Sequence, residues 1–152
     1  MTSMKADRRG REDGLGLITL VTLVSKAFYR RSFEDQLGMK LKEFQLLGYL
    51  NEHPRTTQQE LGEGMLLDPN MVVLLLNELE TRGYSLRRRD TEDRRRHEVE
   101  ITPAGQDALS RAGRALTRIE DDIFGELSSG ERESLRKLLE KVLEGIAATA
   151  VR

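Results

Sequence analysis

Apolar residues recur every three or four positions along most of this chain, a spacing that marks helices with one buried face. From Leu15 to Asp35 the stripe is Leu17, Leu20, Val21, Val24 and Phe28, while Ile18 and Leu23 add apolar surface on other sides. A helix apolar on more than one face is usually covered by two partners, and for an N-terminal helix in a small protein the second partner is expected to be another subunit. Lys40 to His53 predicts a second helix, with Leu41, Phe44, Leu47 and Leu50 inward and His53-Pro54 ending it. Thr57-Gln58-Gln59-Glu60 is a capping-box pattern, in which a hydroxyl and a carboxylate three residues apart satisfy free amides of the first turn. It opens a short helix from Gln58 to Gly64, and Gly64–Leu67 forms the turn after it.

Asp68-Pro69 then starts a helix that runs to Arg82-Gly83. Asp68 can cap free amides, Pro69 fits the first helical position, and Val72, Leu75, Leu76 and Leu79 share one face. Short helix, turn and longer helix have helix-turn-helix spacing. Tyr84–Arg89, Asp90–His97 and Glu98–Ile101 read as strand, basic turn and strand. Thr102-Pro103 repeats the cap-plus-proline start for a long helix reaching about Leu127, with Ala108, Ala112, Leu116, Ile119, Ile123 and Leu127 inward. Ser128-Ser129-Gly130-Glu131 is another capping box, and the last helix, Glu131 to Ala148, carries Leu135, Leu138, Leu139, Val142 and Ile146. The predicted order is α-α-α-α-β-β-α-α. The fold class is mainly α with a small β-hairpin, in one domain spanning 15–152 after a disordered tail of residues 1–14.

Charge sharpens this picture by its placement. Lys plus Arg is 25 and Asp plus Glu is 26 among 152 residues, so the net charge is -1. Between Arg82 and His97, however, seven arginines face three acids, a local excess of +4 that leaves -5 for the rest. A basic patch on an acidic body is the electrostatic footprint of a nucleic-acid binder. There is no cysteine, so disulfides, thiol switching and Cys-ligated zinc are excluded. His53 and His97 with scattered carboxylates do not make a metal-ligand set. No nucleophile–base pair or Gly-rich phosphate loop is visible, so neither catalysis nor a cofactor is expected. No apolar run nears the length of a membrane span and no signal peptide precedes the first helix, so a cytoplasmic location is expected.

The run Leu79-Glu80-Thr81-Arg82-Gly83-Tyr84, Arg87-Arg88-Arg89-Asp90, Asp93-Arg94-Arg95 and Val99-Glu100-Ile101-Thr102-Pro103-Ala104-Gly105 resembles the MarR family of winged helix-turn-helix regulators. The element order agrees with that family from about Leu15 to Ala148. The resemblance implies a homodimer, with residues 15–35 and 103–148 as dimerisation helices. Two winged helix-turn-helix units, residues 40–102, would read a palindromic operator on duplex DNA, and a ligand-responsive repressor is the expected function.

In that reading the 68–82 helix enters the major groove and presents Asn70, Met71, Val73, Leu74 and Asn77. Asparagine can read adenine or bond phosphate, and the apolar side chains can meet thymine methyls. Relatives commonly carry Ser-Thr and Thr-Arg where this chain has Asn70-Met71 and Val73-Leu74, so apolar contacts and DNA shape are expected to weigh more here. By resemblance the 90–97 loop is the wing. Asp93 would pair with Arg95 and stiffen it, and one of Arg94, Arg95 and Arg96 would enter the minor groove. Arg87, Arg88 and Arg89 are expected on phosphates. Ser85-Leu86 departs from the family's apolar-then-polar order, which predicts a bulge or a shifted strand face. A crevice for a small anionic aromatic effector would be lined by Phe28, Tyr29, Arg30, Phe44, Tyr49 and His53. The competing function is a winged protein-interaction module that does not read DNA sequence, favoured by the apolar outer side of the 68–82 helix.

Overall fold

The computed structural model describes residues 15–31, 34–93 and 95–150. The expected tail, residues 1–14, and Arg94 of the wing lie outside the described residues. Helix α1 spans Leu17–Arg31, α2 Glu34–Leu37 and α3 Leu41–Glu52. Strand β1, Thr56–Thr57, leads directly into α4, Gln58–Gly64, and then α5, Pro69–Thr81. Strands β2, Ser85–Arg89, and β3, His97–Ile101, form the hairpin, followed by α6, Pro103–Ile123, and α7, Ser129–Ala150. The predicted helices and hairpin are present with ends shifted by a few residues. The N-terminal helix is described as far as Arg31, and Glu34–Leu37 is helical as well.

Most helix starts rest on the side chains expected to cap them. Thr57 Oγ1 accepts the Glu60 amide at 3.1 Å, Asp68 Oδ1 the Asn70 amide at 2.9 Å, and Thr102 Oγ1 the Gly105 amide at 3.0 Å. Each such cap satisfies an amide with no partner inside its own helix. Helix α5 closes through Gly83, whose φ of 75° is the left-handed conformation that glycine takes without a Cβ clash. The amides of Gly83 and Tyr84 bond the carbonyls of Glu80 and Leu79, both at 2.9 Å, the paired closure that ends many helices.

The core lies where α3, α4, α5 and α6 meet the sheet. Leu46, Leu47, Leu50, Leu61, Val72, Leu76, Leu79, Val99 and Ala112 are fully buried there. Each large side chain among them is stabilised by about 1.5–3 kcal/mol on leaving water. The sheet has three antiparallel strands in the order β1-β3-β2. Strand β1 adds to the predicted hairpin: it is only two residues long, and Thr57 serves both as strand and as cap. The hairpin register runs unbroken from Ser85↔Ile101 to Arg89↔His97, which corrects the expected bulge. Ser85 instead occupies the inward, buried position, and its hydroxyl finds no hydrogen-bond partner among the described residues. At the hairpin's base a Cβ on Gly105 would lie 2.1 Å from the Tyr84 carbonyl oxygen, so only glycine lets α6 start this close to β2.

The two terminal helices are unlike the rest. Helix α1 has no buried residue and exposes Leu17, Ile18, Leu20, Val21, Leu23 and Val24. Helix α7 exposes Leu138, Leu139, Val142, Leu143 and Ile146. Among the described residues no helix is long and apolar enough to cross a membrane.

Candidate nucleic-acid interface

Helix α5 and the β2–β3 hairpin stand side by side. A cleft of about 720 Å³ lies between the hairpin loop, with Arg95, Arg96 and His97, and α4 with the turn after it, from Thr57, Gln58, Gln59, Gly62 and Glu63 to Leu66 and Leu67, and Pro69 and Val72 at the start of α5 close its end. The outer side of α5 is as apolar as expected. Asn70, Val73, Leu74 and Asn77 are exposed, Leu74 at 52%, whereas Met71 is half-buried against the core. Leu66 is 65% exposed and has a φ of 53°, a left-handed conformation that few side chains adopt.

The arginines divide into free and engaged groups. Arg89 and Arg95 are exposed, and neither guanidinium meets a carboxylate among the described residues. Arg88 lies 3.4 Å from Glu100 and Arg96 3.3 Å from Glu60, pairs exposed enough to exchange readily for phosphate oxygens. Arg87 is different. Its Nε donates to Glu80 at 2.6 Å, its Nη1 to Gln58 at 3.3 Å, and its Nη2 to Glu80 at 3.3 Å and to Asn77. This geometry bears on two sequence expectations. Arg87 is not a free phosphate contact, and Asn77, though exposed, has its side-chain oxygen engaged by Arg87. Gln58, Glu60 and Glu80, the partners of the hairpin arginines, stand outside the residues expected at the interface, although Glu80 lies in the family-like run seven residues before Arg87.

Asp93 and Arg95 do meet, but through the main chain: Asp93 Oδ1 accepts the Arg95 backbone amide at 3.0 Å. The Asp93 carbonyl also accepts the Arg96 amide at 3.0 Å, and Asp90 Oδ1 the Glu92 amide at 2.9 Å. These aspartate turns stiffen the loop and leave the Arg95 side chain unpaired among the described residues.

Helix α5 is also fastened on its other flank. Lys40 Nζ donates to both Glu78 carboxylate oxygens, at 3.2 and 3.3 Å. Arg82 donates to the Gly38 carbonyl, lies over the Tyr84 ring at 4.9 Å, and is 3.5 Å from Glu43. Glu43 is buried, so this pairing compensates a carboxylate that would otherwise be costly there.

Of the six residues expected to line an effector crevice, Phe28, Phe44 and Tyr49 are partly buried against the core. Phe28 packs on Phe124 with centroids 5.4 Å apart, and Phe44 faces Gly113. Tyr49 stacks on His53 at 3.9 Å and presses on Gly64. Arg30 is exposed near the end of α1. Tyr29 borders a cavity of about 410 Å³, shared with Lys40, Leu41, Lys42, Met71, Leu74, Leu75 and Glu78.

Comparison with known proteins agrees with the architecture. The MarR family model matches residues 39–97. A protein of Thauera aromatica, named as a candidate transcriptional regulatory protein for the hcr operon, is 32% identical over 114 residues, 75% of this chain and 69% of that protein. A crystal structure of MarR superposes with a TM-score of 0.78 at 24% identity, covering 90% of this chain and 95% of that one. A cysteine-to-serine variant of MarR from E. coli, complexed with operator DNA, gives 0.73 at 20% identity over 88% and 97%. At these identities the solved structures speak for the fold.

Proposed function

This chain belongs to the MarR family of transcriptional regulators, and we propose that it is a ligand-responsive homodimeric repressor that binds a palindromic operator on duplex DNA. The observation that carries this reading is that the basic hairpin, with Arg89 and Arg95 exposed, is tied side by side to α5 through Arg87, Asn77 and Glu80. A helix for the major groove beside a stiffened, basic loop for the neighbouring minor groove suits one stretch of duplex. Free Arg89 and Arg95 and the exchangeable Arg88 and Arg96 supply the phosphate and minor-groove contacts. Arg94 belongs to the same proposal by its place in the family-like run. Asn70, Val73 and Leu74, with Met71 at the edge, supply a mostly apolar reading surface suited to thymine methyls.

Dimerisation is supported by the apolar faces of α1 and α7. Helix α7 has 22 residues and little packing within one protomer, whereas most helical stability in proteins comes from packing of an amphipathic face. A second copy that buries both faces would stabilise it. The effector proposed is a small anionic aromatic in the cavity beside Tyr29. Lys42 offers charge, Lys40 and Glu78 form an ion pair in the wall, Leu41 and Leu75 make an apolar wall, and Met71 and Leu74 tie occupancy to the reading surface of α5.

Selection of a binding site from random duplexes, followed by gel shift against non-specific competitor, tests the function. A sequence-preferring complex is expected. Arg95→Ala should weaken it at least several-fold with no loss of folded structure. Full affinity in Arg95→Ala would remove the loop from the interface.

A further inference from the structure

Arg87 is the one hairpin arginine, among the described residues, whose charge is spent inside the protein. Its Nε, Nη1 and Nη2 are all engaged, and its acceptors come from two other elements: Gln58 opens α4, while Asn77 and Glu80 lie on one face of α5. The Arg87 side chain is 23% exposed and that of Glu80 31%, against 65% for the neighbouring Arg88. A phosphate brought to Arg87 would also meet the Glu80 carboxylate that already neutralises it. The planar guanidinium, with donors in a fixed fork, holds two partners at a set angle.

We propose that Arg87 is a positioning residue that locks the hairpin to α5 and α4, and in so doing engages the side-chain oxygen of Asn77. The distance and angle between the major-groove helix and the minor-groove loop are then set by this cluster rather than by the DNA. The inference rests on the duplex-binding reading above. It deepens that reading by separating the arginines that neutralise phosphate from the one that aligns the two reading elements.

Salt dependence tells the two roles apart. Removing one arginine from a phosphate should lower the slope of log affinity against log salt by about one. Removing a group that only aligns the reading elements should reduce specific affinity at an unchanged slope. The probes are a duplex selected from random sequence with the purified protein, and a scrambled duplex of equal length. Arg87→Gln is expected to weaken the selected duplex about tenfold, with the slope unchanged and the scrambled duplex bound as before. Arg89→Gln, the free-arginine control, is expected to lower the slope on both. Glu80→Gln gives opposite signs. It removes an acid near DNA, so a phosphate role for Arg87 predicts equal or tighter binding, whereas the positioning role predicts weaker binding to the selected duplex alone. Glu80→Gln also decides the matter if Arg87→Gln does not fold. A slope lowered by about one in Arg87→Gln, or equal or tighter binding in Glu80→Gln, overturns the proposal. No preference of the wild-type protein for its selected duplex over the scrambled one would overturn the duplex-binding reading itself.

Discussion

Leu66 is the residue whose local conformation is hardest to justify by stability. It closes α4 at the position where a left-handed residue is needed, with its own amide bonded to the Glu63 carbonyl at 3.3 Å and the Leu67 amide to that of Gly62 at 2.9 Å. Glycine would take a φ of 53° without cost, whereas a leucine Cβ crowds its carbonyl. Its side chain is mostly exposed, so little burial offsets the strain. Leu66→Gly should therefore raise unfolding stability by about 0.5–1 kcal/mol in a denaturant titration. A loss of stability would mean that its packing in the cleft outweighs the backbone strain. Leu66 borders the cleft facing Arg95 and Arg96, so the variant also reports whether this apolar side chain contributes to DNA affinity.

The helices and the hairpin are readable in the sequence because each is written locally. Capping residues Thr57, Asp68, Thr102 and Ser128 mark the starts, Gly83 marks an end, and the stripes Val72–Leu79 and Ala108–Ile119 turn inward as their spacing requires. What is not readable depends on residues distant in sequence. Strand β1 exists only because Thr56 pairs with Val99, and Arg87 finds Gln58 from 29 positions away. Helical spacing shows which side chains turn inward but not which of them meet, so a crevice between elements is not legible from it. A local rule does give a pH prediction for α7. Ser128 donates its backbone amide to the Glu131 carboxylate at 2.9 Å, and its Oγ accepts the Glu131 amide at 3.1 Å. The backbone bond first, then the Ser128 side chain, lowers the Glu131 pKa below its ordinary value. A lowered carboxyl pKa stabilises the folded form above the ordinary value, and that contribution disappears as pH falls through the folded one. Acid should therefore fray the start of α7, read as a loss of helical circular dichroism. Glu131→Gln should flatten that part of the profile, and an unchanged profile would show that the carboxylate contributes nothing to the helix.

Across the whole molecule, charge and apolar surface are segregated. The basic excess gathers on the hairpin, while the exposed leucines, valines and isoleucines, apart mainly from Leu66, Val73 and Leu74, gather on α1 and α7. Patches of this kind are uncommon on proteins that act as monomers. If two copies bury these faces, the melting temperature should rise with protein concentration. Leu139→Glu together with Val142→Glu should shift sedimentation to the monomer, weaken operator binding and leave the core of α3–α6 folded. An unchanged dimer in that double variant would place the interface elsewhere. A two-fold dimer with one reading unit per protomer also makes a geometric demand on its DNA, because the half-sites must match the spacing of the two α5 helices. The most direct measurement is a footprint on the selected duplex, combined with the mass of the complex. Two chains protecting two inverted half-sites, with centres about 10–10.5 base pairs or a multiple apart, is the expected result. A single chain on one site, or protection that follows no sequence, would contradict it.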